Sequence, residues 1–250
     1  HLFQCHPMKT HFTLVKQYLI LGHIAAEHRH LCHAARREQP LRELQKKYPD
    51  NVVYKTIDIT LPDAVERFND LLEAAGDVET VLVASGVGFQ NPELDISREV
   101  ATLETNVVGW ARIVAAAYRY FANVSNVTAG QIAAITSVAG TKGLGVAASY
   151  SASKRFQRNY LSALRQLATR RGDNIVITDI RPGFIRTPLL DADKNYPMLM
   201  TVDYVAPMIE LAILKRRRVA TVDWRWRLLD AAWAAIPTSW WERVDISLSK

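Results

Sequence analysis

Three consecutive segments read QIAAITS (131–137), SYSASKRFQRNYLSALRQLATRRG (149–172) and NIVITDIRPG (174–183). The first and third are short and apolar, which predicts strands buried in a parallel sheet. The second is long and ends at Gly172, as helices commonly do. A strand, a helix and a further strand predict two parallel strands joined by a right-handed crossover.

The flanking sequence repeats this alternation of short apolar runs and longer helical stretches. The chain is therefore predicted to be a single-domain α/β protein, a doubly wound parallel sheet with helices on both faces. Ligands of such sheets bind beyond the carboxyl ends of the strands, so the chemistry is expected near Asp58, Gly86, Ser137 and Pro182. The further predicted strands are 31–36, 51–59, 80–86 and 218–224, and the further predicted helices are 40–48, 65–76, 98–121 and 202–217.

Composition and charge narrow the protein class. Hydrophobic residues make up 49% and charged residues 22% of the 250 residues, which excludes a disordered or fibrous chain. The sequence lacks an apolar run of about 18 residues and a secretory signal pattern. Two cysteines do not build a disulfide framework, so we expect a cytoplasmic protein. A net charge of +6 suits nucleic acid, anionic lipid or a phosphate-bearing cofactor and does not choose among them.

Residues 1–33 form an atypical segment. All seven histidines and both cysteines lie there, while Gly22 is the only glycine before Gly76. Three interpretations stay open: a metal site, an irregular solvated arm, or sequence foreign to the fold, either a leader before Met8 or a stretch altered by a frame change. A metal site would draw on Cys5, His6, His28, His30, Cys32 and His33.

The candidate chemistry centres on Tyr150 and Lys154, which lie four residues apart and so share one face of a helix. A free tyrosine titrates near about 10, and a neighbouring cation lowers that pKa until the phenol can exchange a proton with a carbonyl or alcohol oxygen. Ser137 ends a strand, where its hydroxyl can bond a developing oxyanion. Asn106 lies within a predicted helix, although asparagine has only a modest helix propensity. Alone, each residue also fits an ordinary surface position.

Taken together, the motifs resemble the short-chain dehydrogenase/reductase family in their order and spacing. The resemblance spans residues 31 to about 225 and implies a Rossmann-like fold. It also implies an oxidoreductase that interconverts a carbonyl and an alcohol with NADP, or alternatively NAD. The matching motifs are TNVVG (105–109), ITS (135–137), YSASK (150–154) and RPGFIRTPL (181–189).

The resemblance implies a role for each catalytic residue. Tyr150 is the general acid and base, and Lys154 holds the nicotinamide ribose and lowers the pKa of Tyr150. Ser137 orients the substrate oxygen. Asn106 supports a water-linked proton relay with Lys154.

The resemblance also implies the cofactor contacts. Arg36 and Arg37 would bind the 2′-phosphate of NADP, although they also fit ordinary surface arginines. Asp58 and Ile59 match the motif that contacts adenine, and Gly86 is the one strict match to the family's motif after the next strand. The remaining expected contacts, at the nicotinamide end, are Pro182, Gly183, Ile185 and Thr187.

The glycine-rich turn of the family, Thr-Gly-x-x-x-Gly-x-Gly, is not recognisable. Counting back from Arg36 with the family's spacing places the three glycines near His11, Val15 and Gln17, none of which is glycine. The side chains of these residues do not suit close approach to a pyrophosphate. The alternative to an enzyme is therefore a catalytically silent relative that acts as a binding or scaffold protein.

A basic and aromatic extension follows from about residue 223. Its tryptophans fit the core or a subunit interface, a lid over the substrate, or peripheral contact with an anionic membrane surface. We expect no nucleic-acid partner. The resemblance implies a homodimer or tetramer and places a substrate loop at 191–201, where Met198, Leu199 and Met200 favour an apolar substrate. The tryptophans are Trp224, Trp226, Trp233, Trp240 and Trp241.

Overall fold

A parallel sheet forms the centre of the molecule. The computed structural model describes residues 10–15, 31–49, 52–123, 128–187, 190, 195–244 and 246. Within them the strand order is β3-β2-β1-β4-β5-β6-β7, and every neighbouring pair is parallel. The strands are β1 Thr10–Val15, β2 Leu31–Ala35, β3 Val52–Thr56, β4 Val78–Ala84, β5 Gly130–Ile135, β6 Ile175–Arg181 and β7 Val219–Thr221.

Helices cover both faces of this sheet. Successive strand residues point to opposite faces, so Val81 joins one hydrophobic cluster and Leu82 the other. This arrangement confirms the predicted doubly wound parallel sheet. The helices are α1 Glu38–Lys47, α2 Ala64–Ala75, α3 Ile96–Leu103, α4 Trp110–Asn123, α5 Ala148–Arg171, α6 Val202–Leu214, α7 Trp224–Ala235 and α8 Thr238–Trp241.

The predicted helix 98–121 is present but is not uniform. A π-helical turn, Glu104–Gly109, joins α3 to α4 and contains Asn106. Turns of this kind occur often at functional sites because they free or redirect helical backbone groups. The asparagine that suits a regular helix poorly therefore stands where the helix is irregular.

The end of the predicted helix 202–217 differs more. Helix α6 ends at Leu214, and Arg216 takes a left-handed φ of 48° while the amide of Arg217 bonds back to the carbonyl of Ala212. Such a cap is usually built on glycine, and the sequence KRRR gave no sign of it. Strand β7 is shorter than the predicted 218–224, chiefly at its end, where Asp223 takes a φ of 72° and caps the helix that begins at Trp224.

The predicted position of the glycine turn is wrong. His11 and Val15 both lie inside β1, where they pair in register with Thr80 and Ala84 of β4. The connection from β1 to β2 spans residues 16–30, outside the described residues, and it includes Gln17. The counting failed because β1 extends beyond the point at which the family's spacing would end it.

Helix α7 is fastened to the centre of the fold by a buried ion pair. The guanidinium of Arg158 on α5 lies 3.0 Å from the carboxylate of Asp230 on α7, and both side chains are largely buried. The Asp230 carboxylate also accepts a hydrogen bond from Thr141, which follows β5. Helix α7 is thus held beside the carboxyl ends of the central strands.

Candidate active site

A cavity of about 610 Å³ opens at the carboxyl edge of the sheet. Its lining includes residues that directly follow β2, β4, β5 and β6, namely Arg37, Gly86, Ser137 and Pro182. This is the edge at which open parallel sheets bind ligands. The volume is in the range of small-molecule and cofactor sites.

Three of the four predicted catalytic side chains, Ser137, Tyr150 and Lys154, converge in this cavity. Tyr150 and Lys154 lie on the first turns of α5, and the Lys154 ammonium is 5.8 Å from the centre of the Tyr150 ring. Ser137 comes from the end of β5, and its hydroxyl is a hydrogen-bonding partner of the Tyr150 phenol. A proton-exchanging phenol, a cation and a hydroxyl therefore face one space.

Burial decides the direction of the two pKa shifts. It raises the pKa of Tyr150 above its ordinary value, and the hydrogen bond with Ser137 acts in the opposite direction. Burial also lowers the pKa of Lys154 to about 8, against the attraction of Asp179. The pKa of the phenol is therefore raised overall, because desolvation of the phenolate is the larger of its two causes, and the effect of Lys154 on this pKa stays a prediction.

Asn106 is fully buried and fastens the loop after β4. Its side-chain amide bonds to both the N–H and the C=O of Val87, at 2.8 and 2.7 Å, and donates to the hydroxyl of Ser153 on α5 at 3.0 Å. Glycine is needed next to it, since a Cβ at Gly88 would lie 2.8 Å from the ring of Tyr150. Asn106 thus shapes the floor beneath Tyr150 without lining the cavity.

The link between Asn106 and Lys154 is a side chain. The main-chain carbonyl of Asn106 accepts a hydrogen bond from the Gln157 amide at 2.9 Å, and the same amide accepts one from the Lys154 ammonium at 3.0 Å. The resemblance implied a water-linked relay between these two residues. In this chain a glutamine joins them directly.

The loop after β6 is supported by α7. A Cβ at Gly183 would overlap the indole of Trp226, which is 1% exposed and stacks edge-on against Phe184 at 5.5 Å between ring centres. Phe184 in turn contacts Tyr196 at 4.9 Å. The C-terminal extension therefore builds the wall behind the predicted nicotinamide end.

The predicted cofactor contacts divide into two groups. Besides Tyr150, Lys154 and Pro182, five of these predicted contacts line the cavity. Arg36, Asp58 and Ile59 are not among the lining residues that the structure describes. Asp58 instead accepts hydrogen bonds from the amide and hydroxyl of Thr60. The five that line the cavity are Arg37, Gly86, Gly183, Ile185 and Thr187.

Several residues that line the cavity or contact its catalytic side chains were not predicted as site residues. Gly88 could have been identified from the sequence, because it lies in ASGVG, two residues after the predicted Gly86. Gln157 lies on the same helix face as Lys154, one turn later, and that spacing could have drawn attention to it. Phe184 and Tyr196 carry no signal in the sequence that separates them from ordinary core aromatics.

The tryptophans of the extension have three different environments. Trp226 and Trp241 are buried, which matches the core interpretation, and Trp233 lines the cavity, which matches a wall over the substrate. Trp224 and Trp240 are 62% and 67% exposed. No single interpretation therefore covers the segment.

The metal interpretation falls mainly on residues 1–9 and 16–30, which lie outside the described ranges. Of its candidates only Cys32 and His33 are described, both buried in β2. Burial raises the pKa of the Cys32 thiol to about 12, so this cysteine stays protonated.

Among the described helices, none is long and apolar enough to cross a bilayer.

Comparison with known proteins places this site in context. Residues 20–196 match the sequence profile of the short chain dehydrogenases. An uncharacterized oxidoreductase of Myxococcus xanthus is 32% identical over 187 residues, which cover 73% of this chain and 68% of the relative. A sepiapterin reductase of Chlorobaculum tepidum is 30% identical over 170 residues, covering 66% of this chain and 68% of the relative.

Solved structures show the same fold. A short chain dehydrogenase from Burkholderia cenocepacia in complex with NADP superposes with a TM-score of 0.78 at 18% identity, covering 94% of this chain and 97% of the other. The NADP-bound structure of ElxO gives a TM-score of 0.73 at 19% identity, covering 88% and 100%. These likenesses establish the Rossmann-like architecture that the sequence predicted.

Proposed function

Because the chain belongs to the short-chain dehydrogenase family of oxidoreductases, we propose that it reduces a carbonyl compound to an alcohol with NADPH. The observation that carries the proposal is the convergence of Ser137, Tyr150 and Lys154 in one cavity at the carboxyl edge of the sheet. NADP-bound members of the same fold class support the choice of cofactor.

Tyr150 supplies the proton. Since burial raises the pKa of its phenol, Tyr150 is protonated at neutral pH and acts as the general acid toward a carbonyl oxygen. The hydroxyl of Ser137 holds that oxygen beside the phenol and stabilises the negative charge that develops on it. The protonated phenol is the form that can donate a proton to the reduced carbonyl oxygen.

The cavity lies along the edge of the sheet at which we propose that the dinucleotide binds. It extends from Arg37 after β2, past Gly86, to the loop after β6. Lys154 would hold the nicotinamide ribose, Ile185 and Thr187 the nicotinamide end, and Arg37 the 2′-phosphate. When bound, the cofactor supplies the hydride that reduces the substrate carbon.

The substrate half of the cavity favours an apolar carbonyl compound. Leu144, Val146, Phe184 and Trp233 line it together with Tyr196. Side chains of this kind bury apolar surface and leave orientation to a few polar groups, here Ser137 and Tyr150 of the catalytic set.

The test is a panel of apolar aldehydes and ketones mixed with the enzyme and NADPH, followed by the absorbance of the reduced nicotinamide. We expect consumption of NADPH with at least one member of the panel. The alternative is a catalytically silent relative with impaired cofactor binding, and the melting temperature with and without NADPH tests it. A ligand that binds only the folded state raises the melting temperature, so a shift with NADPH shows that the cofactor binds. The absence of both turnover and thermal shift at millimolar NADPH would reject the proposal.

Arg37 should set the cofactor preference. Changing Arg37 to alanine removes the guanidinium that we assign to the 2′-phosphate, so KM for NADPH should rise about 10- to 100-fold while KM for NADH stays unchanged. Arg36→Ala is the matched control, since Arg36 is the neighbouring arginine and is not among the lining residues. Equal effects on NADPH and NADH would contradict the assignment.

We also propose that the chain assembles as a homodimer or tetramer. The outer face of α3 and the π-helical turn exposes Ile96, Val100, Leu103 and Val108, of which Ile96 is 78% exposed. Ile96, Val100 and Leu103 recur at helical spacing and so share one face of α3, and apolar residues grouped on an exposed face favour an interaction site.

The double substitution Val100→Asp and Leu103→Asp should convert the assembly to monomers in sedimentation velocity. It places two charges in the apolar stripe while leaving the buried face of the helix intact. The matched control is Glu104→Asp, since Glu104 is the exposed residue next to Leu103 and the substitution keeps its charge. A wild-type chain that sediments as a monomer would contradict the proposal.

A further inference from the structure

Gln157 is a fully buried glutamine that touches the catalytic lysine. It lies three residues after Lys154 on α5, and its side-chain oxygen is 3.0 Å from the Lys154 ammonium. Its side-chain nitrogen is 2.9 Å from the main-chain carbonyl of Asn106 in the π-helical turn. One amide therefore connects the catalytic helix to the irregular turn that passes beneath the cavity.

The ammonium of Lys154 has three N–H groups, and the protein uses two of them. One bonds to Gln157, and a second bonds to the carbonyl of Ile135 at the end of β5, at 3.3 Å. These two partners leave one N–H for the cavity that Lys154 lines. Without the Gln157 oxygen the ammonium would have one fixed partner and could rotate about it.

The π-helical turn makes the other half of the bridge available. The amide of Trp110 bonds to the carbonyls of Thr105 and Val107, and the carbonyl of Asn106 between them accepts from Gln157. A buried carbonyl deprived of this donor would carry a desolvation penalty. The glutamine thus satisfies a backbone group and a cation at once.

We propose that Gln157 is a positioning residue, whose amide bridge between Asn106 and Lys154 fixes the Lys154 ammonium in the orientation that the reaction needs. This inference rests on the proposed function for its kinetic consequence. An amide holds its N–H and C=O in fixed directions and does not pass protons on as a hydroxyl or a water does. The bridge therefore positions Lys154 and does not relay a proton.

Two isosteric substitutions separate the parts of the bridge. Gln157→Met keeps the volume of the side chain and removes both hydrogen bonds. Gln157→Glu keeps the acceptor for Lys154, removes the donor to Asn106 and adds a negative charge. The matched control is Gln131→Met, because Gln131 is also buried and bonded to Thr178 and the Ile213 carbonyl, away from the cavity.

In the kinetic experiment we expect Gln157→Met to change kcat much more than KM. Gln157→Met should lower kcat about 10- to 100-fold, since hydrogen bonds to charged groups are strong and the ammonium is misplaced in the transition state. KM for the carbonyl substrate should change less than about threefold, because the substrate wall is untouched. The dissociation constant of NADPH, measured by its fluorescence, should rise a few-fold. Gln131→Met should leave all three values unchanged.

A ligand-free arm tests the bridge even if the proposed function fails. Burial places the pKa of Lys154 at about 8, below its unfolded value of 10.5, so the cost of its charge is present below about pH 8 and is relieved as the pH rises toward the unfolded value. The titratable groups beside Lys154 are Asp179, from β6, whose charge attracts the ammonium, and the neutral phenol of Tyr150, from its own helix, whose ring centre is 5.8 Å away. Both remain in every variant.

Removal of the acceptor raises the cost of the Lys154 charge. Gln157→Met should therefore lose more melting temperature, relative to wild type, at about pH 7 than at about pH 9.5. Gln157→Glu should lose less than Gln157→Met at about pH 7, because its carboxylate pairs with the ammonium, and should still show reduced kcat. The melting temperature of Gln131→Met should lie below that of the wild type by the same amount at both pH values.

The outcomes are distinguishable. Equal deficits at both pH values for Gln157→Met, or wild-type kcat in both variants, would overturn the positioning role. A wild-type chain without turnover or NADPH binding would reject the proposed function, and the unfolding arm would still decide on the bridge. If Gln157→Met does not fold, Gln157→Glu carries both arms.

Discussion

Tyr150→Phe lowers kcat about 100- to 10,000-fold, which is the range that general acid catalysis contributes. The substitution removes one oxygen atom and leaves the ring against Gly88, so the shape of the cavity is preserved. The dissociation constant of NADPH should stay within about threefold of the wild-type value. Steady-state reduction of the best carbonyl substrate, together with fluorescence titration of NADPH, checks both statements.

The matched control is Tyr160→Phe. Tyr160 lies on the same helix, its pKa is also raised by burial, and its ring packs between Trp110 and Phe156. It is not among the residues that line the cavity. Its loss of hydroxyl should leave kcat unchanged. Full turnover of Tyr150→Phe would refute the proposed proton transfer and with it the assignment of this cavity as the active site.

Gly183→Ala destabilises the protein by about 2 to 3 kcal/mol, because a Cβ at this position overlaps the indole of the buried Trp226. The loop after β6 must move away from α7 to admit the methyl group, and Gly183 lines the cavity, so NADPH binding should weaken as well. Chemical denaturation and fluorescence titration measure the two effects.

Two further variants test whether the overlap with Trp226 causes the loss of stability. Gly145→Ala is the control, since nothing lies within 4 Å of a Cβ at Gly145, and its stability should match that of the wild type. Combining Gly183→Ala with Trp226→Phe frees space for the methyl group, so the double variant should be more stable than the sum of the two single effects by about 1 kcal/mol. Strictly additive losses would show that the overlap is not the reason for glycine at this position.

Local sequence predicted the elements that depend on local patterns. The strand QIAAITS, the helix of α5 with its glycine stop at Gly172, and the convergence of Ser137, Tyr150 and Lys154 all follow from periodicity and from the rule that parallel strands end at one edge. The helix stop at Arg216 and the extent of β1 through Val15 did not follow, because the residues there do not carry the usual signals.

The sign of the Tyr150 shift also required the tertiary structure. The spacing of Tyr150 and Lys154 predicted a phenol made more acidic by a cation. The folded chain buries the phenol, and the loss of hydration raises its pKa by more than the hydrogen bond with Ser137 lowers it. Charge pairs at helical spacing can be recognised in a sequence, whereas burial depends on every element that packs above them.

The sequence alone determined the class of fold and the edge of the sheet at which Ser137, Tyr150 and Lys154 meet, because both follow from the alternation of strands and helices along the chain. The tertiary structure decided that Trp226 holds the loop at Gly183 and that Gln157 joins Lys154 to Asn106. The first contact joins α7 to the loop after β6, and the second joins α5 to the π-helical turn. Their existence depends on packing distances, which the order of residues along the chain does not specify.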